Sequence, residues 1–166
     1  MISRRTLLGG AAALAAGSLA GCSTKFRTYD GPPVTGIVVN KGSRRMFLIS
    51  GNTALRGFDV QLGGDPVGPK RVEGDGKTPE GAYWIDRRNP NSSYHLSLGI
   101  SYPNEQDLAL AQAMGVLPGD DIFIHGTPHQ KRRSSDWTAG CIAMTNQEVE
   151  DIYAMVRDGT PIYTSA

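Results

Sequence analysis

The hydrophobic residues of this chain fall into short runs, which are separated by segments rich in glycine, proline and polar residues. Runs of this kind, bounded by turn residues, are typical of β-strands. The pattern predicts strands at 36–40, 45–49, 53–62, 82–85, 94–100, 122–124 and 161–164. A turn at Gly42 joins the first two runs, so we expect them to form a hairpin.

Two further segments have helical spacing and well-marked ends. Asn104 can cap a helix predicted at Glu105–Met114, and Gly115 would end it. Thr145 begins a capping box, after which apolar residues recur at helical spacing until Gly159 stops the pattern. The sequence therefore predicts two short helices among many strands.

The composition agrees with one domain that contains many turns. The chain has 166 residues, 39% of them hydrophobic, which is enough to bury a single core. Its 21 glycines and 10 prolines favour a β-rich fold over a helical bundle. Residues 63–77 are predicted to be a loop, without the lysine–serine ending of a phosphate-binding loop. We therefore expect a β-rich α+β domain over residues 34–166.

The first residues predict an export signal. Arg4 and Arg5 precede an uncharged segment of alanine, glycine and leucine, and small residues follow it. A basic start, a short apolar core and a small-residue cleavage region are typical of such signals. The apolar segment is shorter than the ~20 residues that a membrane-spanning helix requires, which disfavours a transmembrane anchor.

Two motifs refine this interpretation. Residues 3–8 resemble a twin-arginine signal, and residues 19–22 resemble the lipobox of bacterial lipoproteins. The resemblance implies a signal peptide at 1–21 and a lipid on the thiol of Cys22, which would anchor the chain to a membrane. Residues 22–33, polar and rich in turn formers, are then expected to be a tether.

The charge balance gives no support for a nucleic-acid partner. The chain has 17 basic and 16 acidic residues, and loss of Arg4 and Arg5 with the signal leaves 15 basic residues against 16 acidic ones. Nucleic-acid binding requires a clear basic excess. The basic run 131–133 is either a solvated loop tip or a contact for an acidic substrate.

The two cysteines have different contexts. If Cys22 carries a lipid, Cys141 is an unpaired thiol in a compartment where thiols usually form disulfides. A free cysteine can serve as a small buried hydrophobe. The alternative is a nucleophile, because His125 ends a predicted strand sixteen residues earlier and Cys141 lies just before the second helix.

The chemistry of this pair would be acyl transfer. A thiolate attacks a carbonyl, and an imidazole takes and later returns the proton. Backbone N–H groups near Gly140 and Cys141 could hold the oxyanion. His125 alone would more often be a core histidine. A zinc site with His125, His129, Asp136 and Cys141 is disfavoured, because paired ligand spacing is lacking, and no metal or cofactor is expected.

Three stretches carry a family resemblance. Residues 124–127, Ile-His-Gly-Thr, and residues 138–142, Thr-Ala-Gly-Cys-Ile, resemble the histidine and cysteine signature of the L,D-transpeptidase catalytic domain, the YkuD-like family. Residues 76–83, Gly-Lys-Thr-Pro-Glu-Gly-Ala-Tyr, are similar to the family's upstream turn. The resemblance implies an L,D-transpeptidase-like β-sandwich with a cysteine in a cleft.

The resemblance also implies a substrate, peptidoglycan stem peptides, and roles for individual residues. Cys141 would attack the carbonyl of the third stem residue and release D-alanine. His125 would act as base and then as acid, with its ring held by the carbonyl of Gly126. Oxyanion or substrate contacts are expected from Gly140, Thr138, Trp137 and Asp136. An exported, membrane-anchored monomer fits a cell-wall substrate.

The chain departs from the common family pattern at three positions. Thr138 replaces a serine, Ala139 a residue that is histidine in some members, and Ala143 an arginine or asparagine. Transfer to an amine, which would give a crosslink or an attached lipoprotein, and hydrolysis of stem peptides, crosslinks or lipoprotein links therefore both remain open. A non-catalytic lipoprotein that binds peptidoglycan is a further alternative.

Overall fold

The computed structural model describes residues 24–128 and 135–166. The predicted signal peptide, the proposed lipid site at Cys22, the candidate ligand His129 and the basic run 131–133 lie outside these residues.

The described residues form strands and helices close to those predicted. In chain order the elements are β1 (Gly36–Asn40), β2 (Arg45–Ser50), β3 (Thr53–Asp59), β4 (Gly81–Asn89), β5 (Ser97–Ile100), α1 (Glu105–Met114), β6 (Phe123–His125), β7 (Ile142–Ala143), α2 (Asn146–Met155) and β8 (Pro161–Ser165). They build a β-rich α+β domain, which confirms the predicted fold class.

Within the described parts of the chain, the strands form one eight-stranded mixed sheet in the order β3-β2-β1-β8-β4-β5-β6-β7. The β1/β8 and β6/β7 pairs are parallel, and the other pairs are antiparallel. The long strand β4 pairs with β8 over Gly81–Trp84 and with β5 over 85–89, so the sheet changes direction along it. Beyond β3, Gln61 bridges Ala143 of β7, and this bridge brings the two edges of the curled sheet together.

The core fills the inside of the curl because inward side chains of the strands are apolar and alternate with outward ones. On β1, for example, Ile37 and Val39 are almost fully buried, whereas Val38 is 38% exposed. Helix α2 covers the core with Val149, Ile152 and Met155. It begins at the predicted capping box of Thr145.

Helix α1 has the predicted bounds but lies on the surface. Of its residues only Ala111 is buried, while Leu108 and Met114 are about half exposed. Its position is fixed at its start, where the hydroxyl of Tyr83 donates to Asp107 at 2.9 Å. No helix in the described residues is long and apolar enough to cross a membrane.

The bounds of most strands differ from the prediction by one or more residues; the fourth, for example, spans Gly81–Asn89 instead of 82–85. The third strand ends at Asp59 because the chain then leaves β2, and Gln61 pairs with β7 instead. The fifth begins at Ser97, since His95 adopts a positive φ of 76° that interrupts extended structure. Strand β7 was not predicted, because two residues are too few to give a periodic pattern.

Candidate active site

Strands β6 and β7 place the two predicted catalytic residues on one side of the sheet. Their parallel register pairs Ile124 with Ile142 and His125 with Ala143. Side chains alternate along a strand, so His125 and Cys141, each next to a buried isoleucine, lie on the opposite face from the isoleucines. Both residues line one cleft of about 630 Å³.

Backbone contacts fix the turn before the cysteine. Gly140 has a φ of +136°, and a Cβ atom there would lie 2.6 Å from the carbonyl oxygen of Lys77. At Gly63 a Cβ would lie 2.0 Å from the oxygen of Gly76. Glycine is therefore required at both positions by close approach of backbone. The upstream motif at 76–83 thus packs directly under the cysteine turn.

Thr138 holds this turn closed through its hydroxyl group. The Thr138 hydroxyl donates to the carbonyl of Cys141 at 2.7 Å and accepts from the N–H of Gly140 at 3.1 Å. The N–H of Gly64 donates to the Thr138 carbonyl at 2.9 Å. The predicted hydroxyl at position 138 is therefore used to shape the backbone around the thiol.

The imidazole of His125 is oriented by its neighbour. Nδ1 lies 2.6 Å from the carbonyl oxygen of Gly126. A carbonyl oxygen only accepts, so Nδ1 carries the proton and Nε2 keeps its lone pair for another partner. Gly126 has no room for a side chain, because a Cβ there would lie 2.4 Å from the side-chain oxygen of Asn146 and 2.8 Å from the carbonyl oxygen of Tyr94.

Two aromatic rings enclose the imidazole. The centroid of Tyr94 lies 4.4 Å from that of His125, and the centroid of Trp137 lies 5.8 Å from it in an edge-on arrangement. His125 is 3% exposed. Burial lowers the pKa of His125 and outweighs the hydrogen bond to Gly126, which raises it. The imidazole is therefore neutral at pH 7.

The thiol of Cys141 is also neutral at rest. Burial raises its pKa, the Phe123 N–H that bonds to the sulfur lowers it, and the Asp121 carboxylate raises it again. The cations Lys70 and Arg87 act in the lowering direction. The sulfur donates to the carbonyl of Asp121 at 3.5 Å. The pair thus starts as thiol and imidazole, without an ion pair.

The other predicted site residues lie in different surroundings. Trp137 lines the cleft, and its indole N–H donates to Gln61 at 3.2 Å. Asp136 accepts from the N–H of Leu62 at 2.8 Å and from Arg44 at 2.9 Å, and it is not among the residues that line the cleft. Its contacts fix the segment that leads into the thiol turn.

The cleft also contains residues that the sequence did not identify. Tyr94 is 39% exposed, and its ring packs on His125. Asp121 has a positive φ of 54° and lines the cleft beside the sulfur. The remaining lining residues are Asn89, Ser92, Ser93, Ser97, Phe123, Thr138 and Ala139. A non-glycine residue with positive φ has no clear sequence signal.

Two of the residues at which the chain departs from the family pattern, Ala139 and Ala143, differ in burial and in their relation to the cleft. Ala139 is exposed and lines the cleft. Ala143 is fully buried, and its backbone exchanges two hydrogen bonds with Gln61 at 2.8 and 2.9 Å. No group of three or more His, Cys, Asp or Glu side chains within 24–128 and 135–166 is arranged to hold a metal ion.

Comparisons with known proteins show what this chain is similar to. The candidate L,D-transpeptidase YafK of Escherichia coli (strain K12) is 35% identical over 92 residues, which are 54% of this chain and 32% of YafK. The helical cell shape determining protein Pgp2 of Campylobacter jejuni is 26% identical and superposes with a TM-score of 0.63 over 82% of this chain and 49% of Pgp2. This chain therefore spans only part of either relative.

A solved catalytic domain shows the same fold. The L,D-transpeptidase catalytic domain of E. faecium superposes with a TM-score of 0.56 over 79% of this chain and 96% of that domain. At 15% identity this likeness shows the fold alone. The model of the YkuD family, the L,D-transpeptidase catalytic domain, matches residues 35–164, from the residue before β1 to the penultimate residue of β8. The family resemblance carried by the histidine and cysteine motifs is therefore confirmed, and this chain belongs to the L,D-transpeptidase catalytic domain family.

Proposed function

We propose that this chain is a peptidoglycan L,D-transpeptidase, with Cys141 as nucleophile and His125 as general base. One observation carries the proposal: both side chains line one cleft, and the imidazole offers a free Nε2 because Gly126 occupies Nδ1. A general base for a thiol needs a free lone pair and access to the same cleft, and these two features support the proposal.

The first half-reaction begins from a neutral pair. The Cys141 thiol leaves the carbonyl of Asp121 and gives its proton to Nε2 of His125 while the sulfur attacks the carbonyl carbon of the third stem residue. The C–N bond to the terminal D-alanine then breaks, and the imidazolium protonates the departing amine. The product is a thioester on Cys141 and free D-alanine.

The second half-reaction reverses the proton flow. An amine attacks the thioester carbonyl, His125 takes one proton from the attacking nitrogen, and the C–S bond breaks as the sulfur regains a proton. We assign oxyanion stabilisation in both halves to the backbone N–H of Cys141, because the N–H of Gly140 already donates to the hydroxyl of Thr138 at 3.1 Å. Water in place of the amine gives hydrolysis.

Asp121 favours the amine as acceptor. Asp121 lines the cleft, and its carboxylate is 74% exposed and pairs with Arg87 at 3.1 Å. Arg87 also pairs with Asp86, so the two carboxylates and one guanidinium keep a net negative charge. A negative charge there raises the local concentration of a cationic amine and does nothing comparable for water. Transfer is therefore the proposed main outcome, with hydrolysis as the alternative.

The reaction can be tested on the full-length chain with purified tetrapeptide muropeptides. Intact-mass spectrometry should detect a thioester that is absent from Cys141→Ala, and dimers should accumulate when an amine acceptor is added. Water-derived products alone, with every acceptor offered, would select the hydrolase. Binding to sacculi with neither adduct nor turnover would identify a non-catalytic binder and overturn the proposal.

We also propose that the chain is exported and anchored by lipid at Cys22, which the order of Arg4, Arg5 and the lipobox-like residues 19–22 supports. Mass spectrometry of the N-terminal peptide from cells should find a lipid-modified Cys22 and no residues before it. An unmodified Met1 terminus would contradict both export and lipid attachment, and Cys22→Ala is the control for the lipid.

A further inference from the structure

The first described residues of the chain are docked on the domain beside the cleft. Arg27 donates to Glu150 of α2 at 2.8 and 3.0 Å and also pairs with Asp151. The ring of Phe26 lies 6.3 Å from that of Tyr153 on the same helix. We call residues 24–27 the N-terminal strap. It belongs to the stretch that the sequence predicts to be a tether.

Lys25 of the strap donates hydrogen bonds to a loop that forms one wall of the cleft. Its ammonium donates to the carbonyl of Pro90 at 2.5 Å and to that of His95 at 3.3 Å. These two carbonyls mark the ends of the loop 90–95, which contributes Ser92, Ser93 and Tyr94 to the cleft. Hydrogen bonds from a charged donor are stronger than those between neutral groups.

The far side of the loop is tied to the same carboxylate as the strap. Nε2 of His95 lies 2.8 Å from Oε1 of Glu150, whose other oxygen accepts from Arg27. The strap, α2 and the loop are therefore joined through Glu150 as well as through Lys25. The strap and the cleft wall are thus held to each other at two points.

The loop leads directly to the catalytic histidine. Tyr94 stacks on His125 at 4.4 Å, and the N–H of Gly126 donates to the Tyr94 carbonyl at 3.0 Å. Gly126 in turn sets the orientation of the imidazole. A continuous set of contacts therefore runs from Lys25 through the loop to the base of the reaction.

We propose that Lys25 and Arg27 are positioning residues of the active site, and that the strap sets the position of the 90–95 wall and of Tyr94 over His125. The strap touches none of the residues that react, and it acts through the loop. Only the turnover measurement depends on the proposed function. The contacts that order the loop can be tested without it.

The test compares Lys25→Gln with Arg56→Gln in the full-length chain. Arg56 is a stringent control, since it makes an exposed ion pair at 2.5 Å to Asp151 of α2, which also pairs with Arg27 of the strap, but makes no hydrogen bond or ion pair to the described residues of the loop. Hydrogen exchange read by mass spectrometry should be about tenfold faster at amides 91–97 in Lys25→Gln and unchanged there in Arg56→Gln. Lys25→Arg keeps a charged donor and should restore protection.

Turnover gives the second readout. With muropeptide substrate, Lys25→Gln should raise KM about tenfold with a smaller change in kcat, because the loop must be ordered again when substrate binds. Unchanged exchange at 91–97, equal effects in Lys25→Gln and Arg56→Gln, or faster exchange throughout the domain would each overturn the inference. A wild-type chain whose loop is protected but which shows no turnover would overturn the proposed function alone.

Discussion

The ring of Tyr94 lies 4.4 Å from the ring of His125, measured between centroids, with 34° between their planes. Trp137 lies 5.9 Å from Tyr94 and meets the imidazole edge-on. The two aromatic rings exclude water from the imidazole, and burial is the largest influence on the pKa of His125. Tyr94 therefore affects the pKa of the proposed base although it carries no charge.

Replacement of Tyr94 by alanine should raise the pKa of His125 towards its ordinary value, because water then reaches the ring. Tyr94→Phe keeps the stacked ring and should leave the pKa lowered. NMR titration of the assigned His125 Cε1 proton distinguishes the two. We expect kcat/KM of Tyr94→Ala to fall about tenfold, as the ring loses its fixed geometry. An equal pKa in both variants would contradict this role.

The charges of Asp121 and Arg87 should change the reactivity of Cys141 in opposite directions. Asp121→Asn removes an anion that raises the thiol pKa, so alkylation by iodoacetamide at pH 8 should become about threefold faster. Arg87→Gln removes a cation that lowers the pKa, so alkylation should slow by a similar factor. In the wild type the rate should rise with pH through a pKa above that of a free cysteine. Shifts of the same sign in both variants would contradict the electrostatic account.

Local patterns predicted much of this fold. The bounds of α1 follow from the cap at Asn104 and the stop at Gly115, and both act within a few residues. Strand β1 was predicted with its observed bounds because its alternation is local. The strand β7 depends instead on pairing with Ile124 and His125 far along the chain, so no local signal marks it.

In the candidate site, too, some residues could be predicted from the sequence and others could not. His125 and Cys141 carry chemistry that the sequence reveals by residue type, and both line the cleft. Tyr94 and Asp121 reach the cleft through loops whose path depends on tertiary contacts, so their type gave no indication. Asp136, predicted to contact substrate, has its carboxylate in hydrogen bonds to Leu62 and Arg44.

The turn before Cys141 should not tolerate a side chain at Gly140. Gly140→Ala requires a left-handed backbone, at about 1–2 kcal/mol, and also an overlap with the carbonyl oxygen of Lys77 at 2.6 Å. Gly159→Ala is the matched control, because Gly159 also has a positive φ but no atom within 4 Å of the added Cβ. Thermal unfolding should show a clearly larger loss for Gly140→Ala, together with loss of thioester formation. Equal losses in the two variants would contradict the close packing.

The loop beneath this turn should make stability sensitive to acid. Burial raises the pKa of Asp75, but the N–H groups of Arg71, Val72 and Lys77 and the ammonium of Lys70 lower it to about 2. Because the pKa of Asp75 is lower in the folded than in the unfolded state, its ionised form stabilises the fold. The stabilisation is complete above the unfolded pKa near 3.8 and is lost as the pH falls through about 2. The contribution is about 2 kcal/mol. Urea unfolding of Asp75→Asn should show a lower free energy at pH 6 and a flatter dependence below pH 4.

The choice between transfer and hydrolysis should depend on the carboxylate of Asp121. Asp121 and Asp86 share one cation, Arg87, so the net charge of this group is negative and attracts a cationic acceptor, whereas water needs no such attraction. Asparagine tolerates the positive φ of this position and keeps the backbone carbonyl that accepts from the thiol, so Asp121→Asn changes the charge with little change of shape.

With limiting amine acceptor, we expect the ratio of crosslinked to hydrolysed product to fall about threefold in Asp121→Asn, and high salt should also lower this ratio in the wild type. Chromatography of the muropeptide products measures both effects. An unchanged ratio in Asp121→Asn, alongside the faster alkylation expected for the same variant, would show that Asp121 acts on the thiol and not on the acceptor.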